Sequence, residues 1–240
     1  MVSPRTFRLF ALLLPLAAVG CSAFNYHADF ANNSRLYADV PFRTKAPGDR
    51  AAFVAPVKDG RGATPLPTHD HGFPITYGKD EFWERPVVEM LSDVLQRQLA
   101  DSRLFAGVVD QATPESVLVK PTLVAFMPGE MEGISGATSF AEVAVKVEVL
   151  GPAAADGSRP LWHEQLYRDR QVSDQSLNPT SPYRLICRAL QRTVAQMLGS
   201  LDGANVARSN VPVEGIVPGA ESGLPALPAA PAAEASADRR

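Results

Sequence analysis

Cysteine is scarce. Of 240 residues only Cys21 and Cys187 are cysteines, so at most one disulfide could close, and none if Cys21 is otherwise engaged. A surplus of positive charge is lacking too: 23 Lys and Arg stand against 26 Asp and Glu, a balance that argues against a nucleic-acid partner, which would favour a basic face. After residue 20 no run approaches eighteen apolar residues, so that part of the chain has no membrane-spanning helix of its own. Two catalytic signatures are also missing. There is no Gly-x-Ser-x-Gly elbow, and the glycines from Gly129 to Gly136 lead into no Gly-Lys-Ser/Thr, so that stretch reads as a loose hairpin loop and not as a phosphate cradle. The last 37 residues, Ala204 to Arg240, hold no aromatic side chain but ten alanines and five prolines. Such a stretch cannot bury enough surface to offset its ordering entropy, and it is expected to be disordered.

What is present begins with the leader. Arg5 and Arg8 precede an apolar run from Leu9 to Val19, broken only by Pro15, and Gly20-Cys21 comes next. A positive head, a short apolar middle and small residues before a cut make the layout of a secretory signal. As a helix, about eleven such residues rise only about 16 Å, roughly half a bilayer core, which is too short for a stable span. The end of the run, Ala18-Val19-Gly20-Cys21, resembles the lipobox of bacterial lipoproteins. That resemblance implies that Cys21 is acylated and becomes the first mature residue. It also implies the outer membrane, because Ser22 stands where an Asp commonly favours inner-membrane retention. The leader carries two of the basic residues and no acid, so the mature chain has 21 against 26, a formal charge of −5. Membrane contact would then come through lipid, at about 0.8 kcal/mol per buried methylene, with more than one acyl chain needed for stable attachment.

From Ser22 to Arg50 no sustained period appears, and the segment reads as a tether that partly covers the domain. Ala51 to Val57 alternates as a strand with Phe53, Ala55 and Val57 on one face, and Lys58 to Gly62 supply turn residues. Residues 63 to 79 read as a long loop, which is unusual inside a compact domain and is either functional or mobile. Apolar residues at Val87, Val88, Leu91, Val94, Leu95 and Leu99 predict an amphipathic helix starting near Arg85, with Pro86 in its opening turn. Short strands come after it over 105–109 and 116–127, where Pro121 suggests an edge or a bulge. Ala141, Val143, Val145, Val147 and Val149 alternate with Glu142, Lys146 and Glu148, which predicts one strand with an apolar core face and a charged outer face. Leu161 to Val172 mixes Trp162, Leu166 and Tyr167 with charge, as on a sheet edge. Ser181-Pro182 opens a second helix, its apolar stripe running from Leu185 to Leu201 and Gly203 standing beyond it as a stop.

The predicted organisation is a leader over 1–20, a lipidated tether over 21–50, one domain over 51–203 and a tail over 204–240. The domain's order of strand, helix, four strands and helix predicts an α+β two-layer sandwich: a mixed, mainly antiparallel sheet with both helices packed on one face. This order behind a lipobox resembles the small α/β lipoproteins of the Gram-negative envelope. These are the auxiliary lipoproteins of ABC-type lipid-transport systems, the YajG-like lipoproteins and, more distantly, the lipoprotein activators of peptidoglycan synthases. The likeness is carried by Trp83 to Leu91 and by Leu99 to Phe105, together with the Leu118-Val119 and Val143 to Val149 strands. It implies a non-enzymatic lipoprotein facing the periplasm, held to the outer membrane by its lipid and auxiliary to an envelope transport or assembly system. A peptidoglycan-synthase activator is the alternative. The partner would be an envelope protein; no cofactor is implied, and the sequence names no lipid or small-molecule cargo.

Three groups of side chains invite a chemical reading. Phe73, Tyr77, Phe82 and Trp83 surround the long loop as candidate binding anchors, Tyr and Trp being common in that role, although the same rings would also serve to pack the loop on the sheet. His69, Asp70 and His71 offer imidazole and carboxylate ligands for zinc or copper, with His163 or His27 as a third, against the alternative of a solvated turn. Cys187 lies on the apolar stripe of the second helix and reads as an inert buried thiol, while Glu130 and Glu132 read as a charged loop tip. Metal analysis of the purified protein separates the metal reading from the binding reading. The expected outcome is metal-free protein whose stability is unchanged in the His69→Ala/His71→Ala variant; stoichiometric zinc or copper lost in that variant would favour the metal site.

Overall fold

The computed structural model describes residues 28–62, 72–74, 83–133, 136–173 and 182–209. In chain order these form β1 (Ala51–Val54), β2 (Lys58–Asp59), β3 (Gly72–Pro74), α1 (Val87–Ser102), β4 (Gly107–Val109), β5 (Val117–Gly133), β6 (Gly136–Leu150), β7 (Leu161–Val172) and α2 (Pro182–Gly203). One mixed sheet runs in the order β4-β1-β5-β6-β7, and β2 and β3 add to β5. β1 is parallel to both β4 and β5, whereas β5, β6 and β7 form an antiparallel meander. Both helices share one apolar cluster with the inward face of the sheet, which is the two-layer α+β sandwich predicted.

The alternation in β6 translates directly into this layering. Ala141, Val143, Val145, Val147 and Val149 are all at most 2% exposed. Fully burying a valine contributes roughly 1.5–3 kcal/mol, so the four valines are a main part of the core. α2 answers them with Leu185, Ile186, Ala189, Leu190, Val194, Met197, Leu198 and Leu201, all buried. In β5 the register shifts between Leu123 and Ala125, so an extra residue, Val124, is inserted. Leu123 opposite Val145 and Phe126 opposite Val143 therefore both reach the core, although they are three positions apart.

Several local expectations are corrected. β1 ends at Val54, short of the predicted Val57; the alternation holds, with Ala52 and Val54 buried and Phe53 half-buried on the other face. Val57 is buried after the chain has left the strand, where its N–H donates to Ser92 Oγ of α1 at 2.9 Å. Pro121 sits on neither an edge nor the bulge. It is tolerated in a strand paired on both flanks because it lies between the stretch of β5 that pairs with β1, up to Val119, and the stretch that pairs with β2, from Thr122. The glycine-rich stretch after Pro128 is not a loose loop: the ladder continues to Gly133 opposite Gly136, and β3 pairs with Gly129 to Met131. Backbone pairing needs no side chain, so these glycines lengthen the ribbon instead of ending it.

The folded body is also wider than residues 51–203. Phe30 and Tyr37 are 0% and 3% exposed, and beyond α2 Val206 and Ala207 are buried. Polar side chains fasten these flanks. Gln98, buried on α1, accepts the Val40 N–H at 2.7 Å, and Asp202 accepts from Thr44 and Arg208. Gly48 donates to the Leu104 carbonyl, and a Cβ there would lie 2.2 Å from that oxygen, so no larger residue fits. The part of the predicted tail after 209 lies outside the described residues.

Because Leu190 is fully enclosed between α2 and the sheet, Leu190→Ala is expected to cost about 2–5 kcal/mol in urea unfolding. Leu166→Ala, at a position 43% exposed, should stay within about 0.5 kcal/mol of the parent.

Candidate binding surface

β7 is the one long strand at an edge of the sheet; β4 at the other edge has three residues and β7 has twelve. Among the described residues no strand pairs with its free side. The edge is therefore a row of backbone donors and acceptors that another strand could use. Its two faces differ. Toward α2 it presents His163, Gln165, Tyr167, Asp169 and Gln171, and on the outer face Glu164, Leu166, Arg168, Arg170 and Val172. Leu166 and Val172 are 43% and 47% exposed, while the charges between them guard the edge against indiscriminate pairing.

Half of the outer face is polar and wet. Lys146 bridges Glu148 at 3.2 Å and Glu164 at 2.5 Å, and Lys120 adds a contact to Glu148 at 3.5 Å. These contacts lower the Glu148 pKa and raise that of Lys146. The other half is dry, contrary to the charged face predicted for all of β6. Glu142 is 0% exposed and accepts from Arg168 Nε at 2.6 Å, and Val124, Ala125 and Ala144 form a small apolar cluster beside it. Arg170 stacks its guanidinium 4.5 Å from the centroid of Phe140. Alternation correctly put Glu142 on the outer face but carried no signal that this part of the face is covered.

On the inner side His163 is half-buried, with Nε2 2.7 Å from the Tyr167 hydroxyl. Desolvation holds the imidazole below its ordinary value and pushes the Tyr167 phenol up to about 12. That nitrogen is thus already engaged. Burial likewise pushes the Cys187 thiol up to about 12, which keeps it protonated and unreactive.

Of the predicted site residues, Cys21, His69, Asp70, His71, Tyr77 and Phe82 lie outside the described residues. Phe73 is in β3, opposite Glu130. Trp83 is described, and it is not an exposed anchor. It is 6% exposed and meets Phe30, Phe126 and Tyr183 with ring centroids 5.3, 5.7 and 5.2 Å away. An indole enclosed by three rings is core, and its burial comes from the N-terminal segment folding back to form the Ala28–Trp83 bridge.

The His163 environment sets a pH dependence. Its folded-state value lies below the ordinary 6.5, so the unfolded chain takes up the proton first, and stability should fall as pH drops below about 6.5. Urea midpoints at pH 8 and pH 5.5 are expected to show this decline, and His163→Gln should lack that part of it.

No protein-family model matches the chain, and no curated protein does. Solved structures with a related arrangement include a Xanthomonas campestris protein of the family DUF330, 14% identical with a TM-score of 0.46, covering 68% of this chain and 91% of its own. A hypothetical protein from Chlamydia trachomatis is 10% identical with a TM-score of 0.43, over 66% and 99% of the two chains. A lipoprotein from Neisseria meningitidis is 13% identical with a TM-score of 0.32, over 62% and 99%. At these values the likeness assigns neither a family nor an activity.

Proposed function

We propose that this protein is a lipid-anchored lipoprotein of the bacterial outer membrane that faces the periplasm and works by binding an envelope protein, not by turnover. The observation that carries the reading is the leader: two arginines, a short apolar run and Ala-Val-Gly immediately before Cys21. The folded chain behind the leader suits a binding module. Ala28 is bridged to Trp83 only seven residues after Cys21, so the domain would sit close to its anchor, and the β7 edge with exposed Leu166 and Val172 offers a partner both backbone groups and apolar contact. Auxiliary service to an envelope transport or assembly system belongs to the same proposal and rests on the family resemblance of the sequence.

The mature amino terminus tests this. Mass analysis of the membrane-extracted protein should find Cys21 first and acylated, and the Cys21→Ala chain should lose the acyl mass and leave the membrane fraction once the leader is cut. An unacylated terminus at another residue, or a cut Cys21→Ala chain that partitions as before, would overturn it. Crosslinking in the native envelope should then capture an envelope protein through β7, and Leu166→Arg should weaken that capture.

A further inference from the structure

α2 carries an exposed row that the core does not explain. Arg184, Arg188 and Arg192 succeed one another at intervals of four, all exposed, over a rise of about 12 Å. None of the three is in an ion pair with a described residue; burial raises the Asp169 pKa, and the nearby Arg192 offsets only part of that. The single acidic residue of α2, Asp202, is held at the far end by Arg208 at 2.6 Å. Arg35, also exposed, belongs to the turn leading to Tyr37, which lies close to Cys187 on the same helix. Asp29 holds Arg85 and Asp39 holds Arg97, each at 3.0 Å, whereas Glu84 and Glu89, both exposed, stand in no ion pair among the described residues. A chain with an overall acidic balance therefore concentrates positive charge on the outward side of one helix.

The path of the N-terminal segment says what that side faces. Ala28 bridges to Trp83, and the indole of Trp83 touches Tyr183, the residue before Arg184. Cys21 is seven residues upstream of Ala28, a reach of about 25 Å at full extension. The intervening Ser22 to His27 contains no acid but has Phe24 and Tyr26, and aromatic residues favour the membrane interface. Anchor and arginine row thus leave the domain at the same end of α2.

We propose that Arg184, Arg188 and Arg192 dock the exposed side of α2 on an anionic phospholipid surface beside the acyl anchor. This rests on the lipoprotein reading for its geometry. One lipid chain and a basic patch reinforce each other in membrane binding, and the row would fix orientation as well as affinity. With the arginine side of α2 against headgroups, the outer face of the sheet points away from the bilayer, toward a partner.

The test uses the full mature chain carrying Cys21→Ser, which removes the acyl group and leaves everything else. In flotation with phosphatidylcholine vesicles containing phosphatidylglycerol, the chain should float with the anionic vesicles and not with pure phosphatidylcholine, and added salt should release it. The Arg184→Gln/Arg188→Gln/Arg192→Gln variant should partition about 100-fold less, at an unchanged unfolding midpoint. Equal flotation with neutral vesicles, an unaffected triple variant, or an arginine row that captures only an acidic protein would each overturn the proposal. The two readings fail separately. An acylated Cys21 with no arginine effect removes the docking surface alone, and an unacylated terminus with a full arginine effect removes the anchor alone.

Discussion

Everything in this fold depends on burying the valine face of β6 against the apolar side of α2. β6 is the central strand of the antiparallel meander, and its five inward residues meet a helix whose buried side runs from Leu185 to Leu201. Alternation makes this interface intolerant of slippage, since a shift of one residue would exchange valines for Glu142, Lys146 and Glu148. The bulge at Val124 extends the same constraint to the neighbouring strand by letting both Leu123 and Phe126 reach the core. α1 then packs beside β4, and its buried Gln98 and its Ser92 use side-chain oxygens to tie down the chain at Val40 and Val57.

The flanks are part of this arrangement and not appendages to it. Phe30 stacks on Phe126 and meets Trp83 edge-on, so residues N-terminal to the first strand complete the core at one end. At the other end Thr44, Asp202 and Arg208 join the two flanks through hydrogen bonds. Under the proposed lipid anchoring at Cys21, only residues 22–27 precede the Ala28–Trp83 bridge. For a tethered module a short linker restricts orientation, and restriction gives an asymmetric charge pattern something to act on. α1 wears Glu89 and Asp93 outward while α2 wears arginines, so the helix layer is electrically uneven.

The sheet's outer face shows how a charged strand face can be divided. Near Lys146 the charges pair in water, where each exposed bridge is worth only about 0–1 kcal/mol. Near Glu142 the carboxylate has left water altogether and Arg168 compensates it, an arrangement that is costly to break but weak evidence of net stability. Beyond both lies β7, unpaired along its free side among the described residues, with Leu166 and Val172 open to a partner. An exposed strand that has kept charge on both faces is guarded against aggregation yet remains usable for specific addition.

By itself the sequence determined both helices, their apolar faces and that of β6, and the position of β7 at an edge, because these come from local periodicity, whereas it read β2 as turn residues and β3 as part of a loop. The arginines of α2 were visible as a spacing of four, but their meaning was not, since it depends on which residues fold back toward the start of that helix. Only tertiary structure buried Trp83, chose the inward face of β1, placed Glu142 in the dry half of the outer face and set Phe30 and Tyr37 into the core. Each of those outcomes is set by contacts between segments far apart in the chain, and no window of neighbouring residues contains them.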